Sequence, residues 1–149
     1  MELHESVDVI LKHKGPQVYA ITPDATVYEA LEKLAVHDIG ALLVMQGTDL
    51  VGIMSERDYV RKVILKGRSS KDMTVDEIMS SPAVTVNPKT TIDDCMRCMT
   101  DHRCRHLPVV EEGSVVGVVS IGDLVNYIIT TQDFTIHQLE DYITGRYPG

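Results

Sequence analysis

The sequence has few large aromatic side chains apart from tyrosine: it contains no Trp and a single Phe among 149 residues. Because 44% of the residues are nevertheless apolar, a folded core would consist mainly of aliphatic side chains. Long apolar runs are also missing, and none approaches the roughly 18–20 residues of a membrane-spanning helix. The first residues lack the charged-then-apolar layout of a signal peptide. These absences predict a cytoplasmic protein without a membrane partner, whose length suits one compact domain.

Positive charge is scarce as well. The chain has 14 Lys and Arg residues against 22 acidic residues, a net charge of −8, and no long basic run. This balance predicts no nucleic-acid partner, because such binding depends on clustered basic residues that neutralise phosphates. A nucleophile elbow, a Walker-type glycine-rich loop and a paired His–carboxylate arrangement are absent too. We therefore predict no catalytic residues, and a nucleotide-hydrolysing enzyme is the most remote alternative.

What the sequence does contain is an internal repeat. A shift of 65 positions places residues 18–64 on residues 83–129 without a gap. Identical residues recur at Pro23 and Pro88, Thr26 and Thr91, His37 and His102, Leu42 and Leu107, Val44 and Val109, Gly52 and Gly117, Ser55 and Ser120, and Asp58 and Asp123. A repeat of this length predicts two copies of one unit, related by approximate two-fold symmetry and sharing a core.

Each copy reads as β-α-β-β-α, so the predicted fold class is α/β. In the first copy the patterns predict strands at 18–22, 41–45 and 50–54, and helices at 26–37 and 55–66. In the second copy they predict strands at 84–86, 107–110 and 115–119, and helices at 91–101 and 121–130. Outside the copies we expect a short helix at 4–14, a helical turn at 75–79 and a separate helix at 133–146. The predicted division is an N-terminal segment (1–16), the first copy (17–66), a connector (67–82), the second copy (83–130) and a C-terminal helix (131–149).

Both copies contain the phrase Gly-hydrophobic-x-Ser-x-x-Asp, at residues 52–58 and 117–123. In each, a strand runs directly into a helix whose first turn carries Ser and Asp, and such a helix start favours anions. Ser can bond a phosphate oxygen, and the Asp carboxylate can accept two hydrogen bonds from a ribose diol. Ser-x-x-Asp is equally a helix-capping pattern that requires no ligand. Two copies in identical register favour the ligand, because caps exchange easily among Ser, Thr, Asp and Asn.

With these phrases the chain resembles a tandem pair of cystathionine-β-synthase (CBS) domains, a Bateman module. Other similar features are Asp76-Glu77-Ile78-Met79, the prolines before the first helix of each copy, and His106-Leu107-Pro108-Val109-Val110. Residues 55–59 resemble those of small stand-alone bacterial and archaeal CBS-pair proteins. The resemblance covers about residues 7–130 and implies a pseudo-two-fold CBS-pair fold with nucleotide sites in clefts between the copies.

The family's sites combine the Ser and Asp of one copy with strand edges of the other. The resemblance implies a favoured cleft formed by Ile53, Ser55, Arg57, Asp58, Val84, Cys104, Arg105 and His106. It implies a second, weaker cleft formed by Tyr19, Ile39, Gly40, Ala41, Val118, Ser120 and Asp123. The first set gathers arginines where the second has Gly122 and Gly40, so a phosphorylated ligand should prefer the first cleft.

Two departures bear on these clefts. Leu43 stands where the second copy has Pro108. The segment that precedes the first copy, residues 7–15, is about three residues longer than its counterpart and shows no clean match to residues 76–79.

Cys95, Cys98 and Cys104, with nearby histidines, suggest a zinc or thiol sensor. The repeat argues against it, because Cys95 aligns with Ala30 and Cys104 with Ile39, and we predict no metal site. The favoured interpretation is a non-enzymatic regulatory sensor that binds AMP, ADP, ATP, an NAD-type dinucleotide or S-adenosylmethionine. The resemblance also implies a homodimer and an effector protein as partners. The main alternative is a ligand-free interaction module in which the Ser-x-x-Asp phrases are only caps.

Overall fold

The computed structural model describes the backbone of residues 4–15 and 17–144. It describes the side chains of the same residues except 133–139 and 141–144. The first half contains α1 (Asp8–Lys14), β1 (Ala20–Ile21), α2 (Val27–His37), β2 (Ala41–Gln46), β3 (Asp49–Ser55) and α3 (Glu56–Tyr59), which continues as a π-helical turn, Val60–Ile64. The second half contains a 3₁₀ turn (Val75–Glu77), α4 (Ile92–His102), β4 (His106–Glu111), β5 (Ser114–Ser120) and α5 (Ile121–Thr144). Among the described residues, no helix is long and apolar enough to cross a membrane.

The two copies repeat each other at the predicted offset of 65, except in the first strand and in the length of the last helix, which confirms the pseudo-symmetric α/β fold. Thr26 and Thr91 cap helices α2 and α4 with side chains that accept the backbone N–H three residues on. Both helices end in the left-handed conformation, at Asp38 and Arg103. Each hairpin also has a register irregularity at the same place, after Val44 and after Val109.

The first strand of the second copy is the exception to this symmetry. In the first copy β1 pairs parallel to β2, and the Leu43 N–H donates to the Tyr19 carbonyl at 3.1 Å. The equivalent of Leu43 is Pro108, which has no N–H to donate. The predicted strand at 84–86 is therefore reduced to an isolated parallel bridge between Val86 and Val109.

The buried side chains that the structure describes form two clusters, so the expectation of one shared core was wrong. The first cluster combines residues of the first copy with Met73, Val75 and Ile78 of the connector. The second combines residues of the second copy with Val7 and Ile10 of the N-terminal segment. Each copy is thus completed by the segment that precedes the other copy, and this crossing interlocks the two halves.

The leading segments, which precede the two copies, match each other at an offset of 68. The match does not appear at the offset of 65 that aligns the copies themselves. Ser6-Val7-Asp8 occupies the place of Thr74-Val75-Asp76, and the backbone bonds agree. The Val7 N–H donates to the Thr90 carbonyl and the Val75 N–H to the Ala25 carbonyl, both at 2.8 Å. The three additional residues before the first copy allow α1 to continue to Lys14, whereas the 3₁₀ turn stops at Glu77.

Helix α5 is continuous from Ile121 to Thr144, so the predicted break between two helices at about 131 was wrong. No Gly or Pro interrupts residues 123–144, and a helix without a breaker simply continues. The apolar residues expected to pack this helix, Phe134, Ile136, Leu139, Tyr142 and Ile143, lie outside the described side chains.

Candidate functional site

The two Ser-x-x-Asp phrases adopt the same geometry at the two junctions of strand and helix. Ser55 ends β3 in extended backbone, and its Oγ accepts the Asp58 N–H at 3.1 Å while its N–H donates to Asp58 Oδ2 at 3.0 Å. Ser120 and Asp123 form the same two bonds, at 3.1 and 2.9 Å. Both phrases therefore cap a helix, and both hold a carboxylate at a fixed position beside a strand end.

The Asp58 carboxylate is held by three further groups. The Ser55 hydroxyl donates to Oδ2 at 3.0 Å, and the Ser80 hydroxyl reaches Oδ1 at 3.5 Å. The Lys62 ammonium, one helical turn on, lies 3.3 Å from Oδ1 and donates to the Ile78 carbonyl at 2.8 Å. The first motif aspartate is therefore neutralised by a lysine of its own helix and anchored to the connector.

The Asp123 carboxylate is neutralised by a lysine from another segment. Lys14, the last residue of α1, lies with its Nζ 2.8 Å from Asp123 Oδ2 and 2.9 Å from the Val118 carbonyl oxygen. The pKa of Asp123 is lowered: burial alone would raise it, but the hydrogen bonds from Lys14 and Ser120 and the charge of Lys14 outweigh burial. Lys14 was not among the site residues predicted from the sequence. The alignment of the leading segments at an offset of 68 would have placed α1 on the second copy.

The strand edges beside the two carboxylates also differ. In the first copy Ile53 exchanges both backbone hydrogen bonds with Ser80, at 3.0 and 2.9 Å, and the Ser81 hydroxyl donates to the Val51 carbonyl. In the second copy the Val118 carbonyl accepts the Lys14 ammonium. Connector backbone therefore covers the first edge, and a side chain covers the second.

His106 lies at the boundary between the two predicted clefts. A Cβ placed on Gly40 would lie 3.3 Å from His106 Cε1, so residues assigned to different clefts are neighbours here. Burial lowers the pKa of His106, the positive charges of Lys14 and Arg105 lower it further, and Asp123 opposes them. The imidazole is therefore a predominantly neutral group close to the second carboxylate.

Arg105 and Gly40 are tied to the helix starts of their own copies. The Ile121 N–H donates to the Arg105 carbonyl at 2.9 Å, and the Glu56 N–H donates to the Gly40 carbonyl at 3.1 Å. These two backbone bonds each lie within one copy, whereas Gly40 also lies against His106, a predicted site residue of the other copy. The pairing of motif and strand edges across copies therefore stays a prediction.

Four of the remaining predicted site residues pack against a core. Tyr19 and Ile39 lie against the first cluster, and Val84 and Cys104 against the second. The Tyr19 ring stacks on the His37 ring with centroids 4.0 Å apart. Ala41 is half-buried and pairs with Ser55 across the first hairpin, as His106 pairs with Ser120 across the second. These residues can form apolar walls, whereas the charged groups surround the two aspartates.

Arg57 and Arg105 are exposed. Among the described residues, neither guanidinium has a carboxylate within ion-pair distance. Both guanidinium groups are therefore available to an anion from solution.

The cysteines show no metal site in the described part of the chain. Cys95 is fully buried in α4, and burial raises the pKa of its thiol to about 11. Cys98 Sγ lies 3.8 Å from His102 Nδ1, but no group of three or more potential ligands forms around them among residues 4–15 and 17–144. The raised pKa also disfavours the thiolate, which is the metal-binding and reactive form.

Comparison with known proteins agrees with this repeated architecture. The family model of the CBS domain matches residues 12–65 and again residues 75–130. The chain belongs to the CBS-domain family. It is 38% identical over 151 residues to the CBS domain-containing protein CBSX3, mitochondrial, of Arabidopsis thaliana, an alignment that covers 95% of this chain and 73% of the relative.

Two solved structures of CBS-domain proteins are similar over most of the chain. One, from Burkholderia ambifaria MC40-6, is 47% identical with a TM-score of 0.82 and covers 85% of this chain and 96% of that chain. The other is the hexameric CBS-CP12 protein from bloom-forming cyanobacteria, 29% identical with a TM-score of 0.75, covering 83% of this chain and 68% of that one. These likenesses confirm the CBS-pair fold.

Proposed function

We propose that this CBS pair is a regulatory module that binds an adenosine-containing nucleotide. The observation that carries the proposal is the recurrence of one constellation, a capped helix start holding an aspartate beside a strand edge, at two equivalent places. The regulatory role draws support from the family and from the Burkholderia ambifaria relative, whose name proposes signal transduction. The ligand is AMP, ADP, ATP, an NAD-type dinucleotide or S-adenosylmethionine.

Each part of such a ligand has a chemically suited group. The Asp58 or Asp123 carboxylate would accept the ribose diol, and the apolar walls would cover the base. Arg57, Arg105 and the first helix start would bind phosphate, because charge-assisted bonds to phosphate are about twice as strong as neutral ones. The free guanidinium groups support the first cleft as the stronger site.

Output would pass through a partner, and self-association would couple the sites. The helices that end the two copies expose apolar side chains at equivalent positions: Val60 and Val125 are 44% and 40% exposed, and Ile64 and Ile129 are both 51% exposed. A patch that repeats with the internal symmetry suits a homodimer, and the CBS-CP12 relative is hexameric. Nucleotide binding would then shift the population between two dimer shapes, to which an effector protein responds.

A ligand-free interaction module is the second candidate. Both phrases form complete caps without a ligand, and each aspartate already has a lysine partner. The cellular compartment belongs to the proposal too: the sequence predicts cytoplasm, whereas the Arabidopsis relative is named mitochondrial.

A thermal-shift panel with the five ligands and NADH tests the binding function. A ligand at 100 times its Kd adds about 2.7 kcal/mol to the apparent free energy of unfolding, which raises the melting temperature visibly. We expect Asp58→Ala to abolish most of the shift and Asp123→Ala to retain most of it. Asp94→Ala, which removes an aspartate from the start of α4 outside both clefts, is the matched control and should keep the full shift.

Each other outcome selects a different conclusion. A shift that survives Asp58→Ala and disappears with Asp123→Ala would retain the nucleotide function and reverse the order of the clefts. No shift with any ligand, with both variants merely less stable, would replace the sensor by the interaction module.

A further inference from the structure

The second cleft contains a cation that belongs to neither copy of the repeat. Lys14 is 109 residues away from Asp123 in sequence, and α1 is positioned on the second copy by Leu11, whose side chain packs directly over Gly117. The Lys14 ammonium contacts the Asp123 carboxylate and the Val118 carbonyl together. It thus lies between the two acceptors that the motif offers to a ligand.

A ribose diol that binds both carboxylate oxygens would need Asp123 Oδ2, which Lys14 now occupies. Asp123 Oδ2 accepts from the Ser120 N–H at 2.9 Å and from Lys14 at 2.8 Å. The Asp123 side chain is 23% exposed, and that of Lys14 is 39% exposed. Because the carboxylate is partly buried, separating the pair has a cost unless the carboxylate finds a new partner, whereas water reaches the ammonium and limits that cost. The diol offers a partner to the carboxylate but none to the ammonium.

A phosphate would supply the missing partner. Lysine has a flexible four-carbon stem with three donors, so its ammonium can move from a carboxylate to a neighbouring anion without movement of the helix. The residues predicted to form the second cleft include no arginine, because Gly122 stands at the place of Arg57 and Gly40 at the place of Arg105. The nearby His106 is not a ready substitute, because burial lowers its pKa and favours the neutral imidazole.

We propose that Lys14 makes the second cleft select phosphorylated adenosine ligands over the bare nucleoside. A phosphate draws Lys14 away from Asp123 and frees the carboxylate for the ribose, whereas adenosine must displace the ammonium without offering it a new anion. This inference rests on the proposed nucleotide function and adds a specificity-determining residue to its weaker site.

The test is a titration with AMP and with adenosine, followed at assigned backbone amides so that each cleft is read separately. The Asp123 and Gly122 amides report the second cleft, and the Asp58 and Arg57 amides report the first. We expect AMP to bind the second cleft of the wild-type protein about tenfold or more tightly than adenosine, as a charge-assisted contact would provide. In Lys14→Met this ratio should fall towards one, with AMP weakened and adenosine strengthened.

Lys12→Met is the matched control, because Lys12 lies on the same helix and, within the described part of the chain, pairs with Asp8 alone, four residues before it. It should keep the wild-type ratio. Lys14→Gln, which retains a donor on a shorter stem, replaces Lys14→Met if that variant does not fold. An unchanged ratio in the Lys14 variant overturns the inference. Responses at Asp58 without any at Asp123, in every variant, overturn it while the nucleotide function stands. If the amides of neither motif respond to AMP or adenosine, both this inference and the proposed nucleotide function are overturned.

Discussion

The two copies share a backbone but neutralise their motif aspartates with lysines from different places. Lys62 comes from the helix that the first aspartate caps, whereas Lys14 reaches the second aspartate from α1. The repeat position of Lys62 is occupied by Tyr127, whose hydroxyl donates to the Glu5 carboxylate instead. Each partly buried carboxylate therefore has a lysine partner, but the two lysines come from different parts of the chain.

This difference separates the features that recur in both copies from those that do not. Caps, strand register and the position of each carboxylate recur because they depend on local sequence that recurs. Charge around the carboxylates does not recur, because the second copy has Tyr127 in place of Lys62, and Lys14 comes from a leading segment that is three residues longer than its counterpart. The two sites of one symmetric fold can therefore have different ligand preferences.

The largest expected effect comes from removing the side chains by which each leading segment completes the opposite core. Ile78 is fully buried in the first cluster, and Ile10, its equivalent, is 7% exposed in the second. Replacement of either by Ala should lower the free energy of unfolding by about 2–5 kcal/mol, since it removes buried methyl groups and leaves a cavity. Ile78→Ala should be the more severe, and urea denaturation measures both.

Val36→Ala is the control for this pair, because Val36 is 78% exposed and its truncation should change stability by less than about 0.5 kcal/mol. A similarly small effect of Ile10→Ala would show that the second core does not depend on α1. The two leading segments would then share a backbone conformation but not a role in stability.

Local sequence predicted much of this fold and only part of the site. The capping box at Thr26, the hairpins and the offset of 65 follow from neighbouring residues, so the element order and the Ser-x-x-Asp geometry could be read directly. The packing of each leading segment on the opposite copy could not be predicted, because no local sequence pattern indicates that α1 packs on the second copy. Lys14 was missed for that reason, and the loss of strand pairing at Pro108 required knowledge of its partner.

The second expected effect compares two glycines at equivalent positions under the leading segments. A Cβ on Gly52 would lie 2.8 Å from the Ser80 backbone oxygen and 2.8 Å from Met79 Sδ, and the backbone atom cannot rotate away. A Cβ on Gly117 would meet the Leu11 side chain, with Cδ2 at 2.7 Å, which can change rotamer. Gly52→Ala should therefore cost about 1–3 kcal/mol and Gly117→Ala less. Equal losses in thermal or urea unfolding would mean that Leu11 is as immobile as backbone.

The smallest expected effect is a pH dependence that only the second copy can show, because the repeat equivalent of His106 is Ala41. Burial, Lys14 and Arg105 lower the pKa of His106 below its ordinary value of 6.5, and Asp123 compensates only in part. The unfolded chain therefore binds this proton at higher pH than the folded chain does. The contribution of neutral His106 to stability is complete above about pH 6.5 and is lost progressively as the pH falls from there towards the lowered value.

Replacement His106→Gln should flatten the dependence of the free energy of unfolding on pH in that window, measured by urea denaturation at several pH values. The imidazole C–H resonances of the wild-type protein give the pKa of the folded state independently. A folded pKa at or above 6.5, or a slope that His106→Gln leaves unchanged, would contradict the prediction. A folded pKa above 6.5 would mean that the charge of Asp123 outweighs burial and the charges of Lys14 and Arg105. The Asp123 carboxylate would then be shared between two cations, His106 and Lys14, whereas Asp58 in the first copy has Lys62 as its cation.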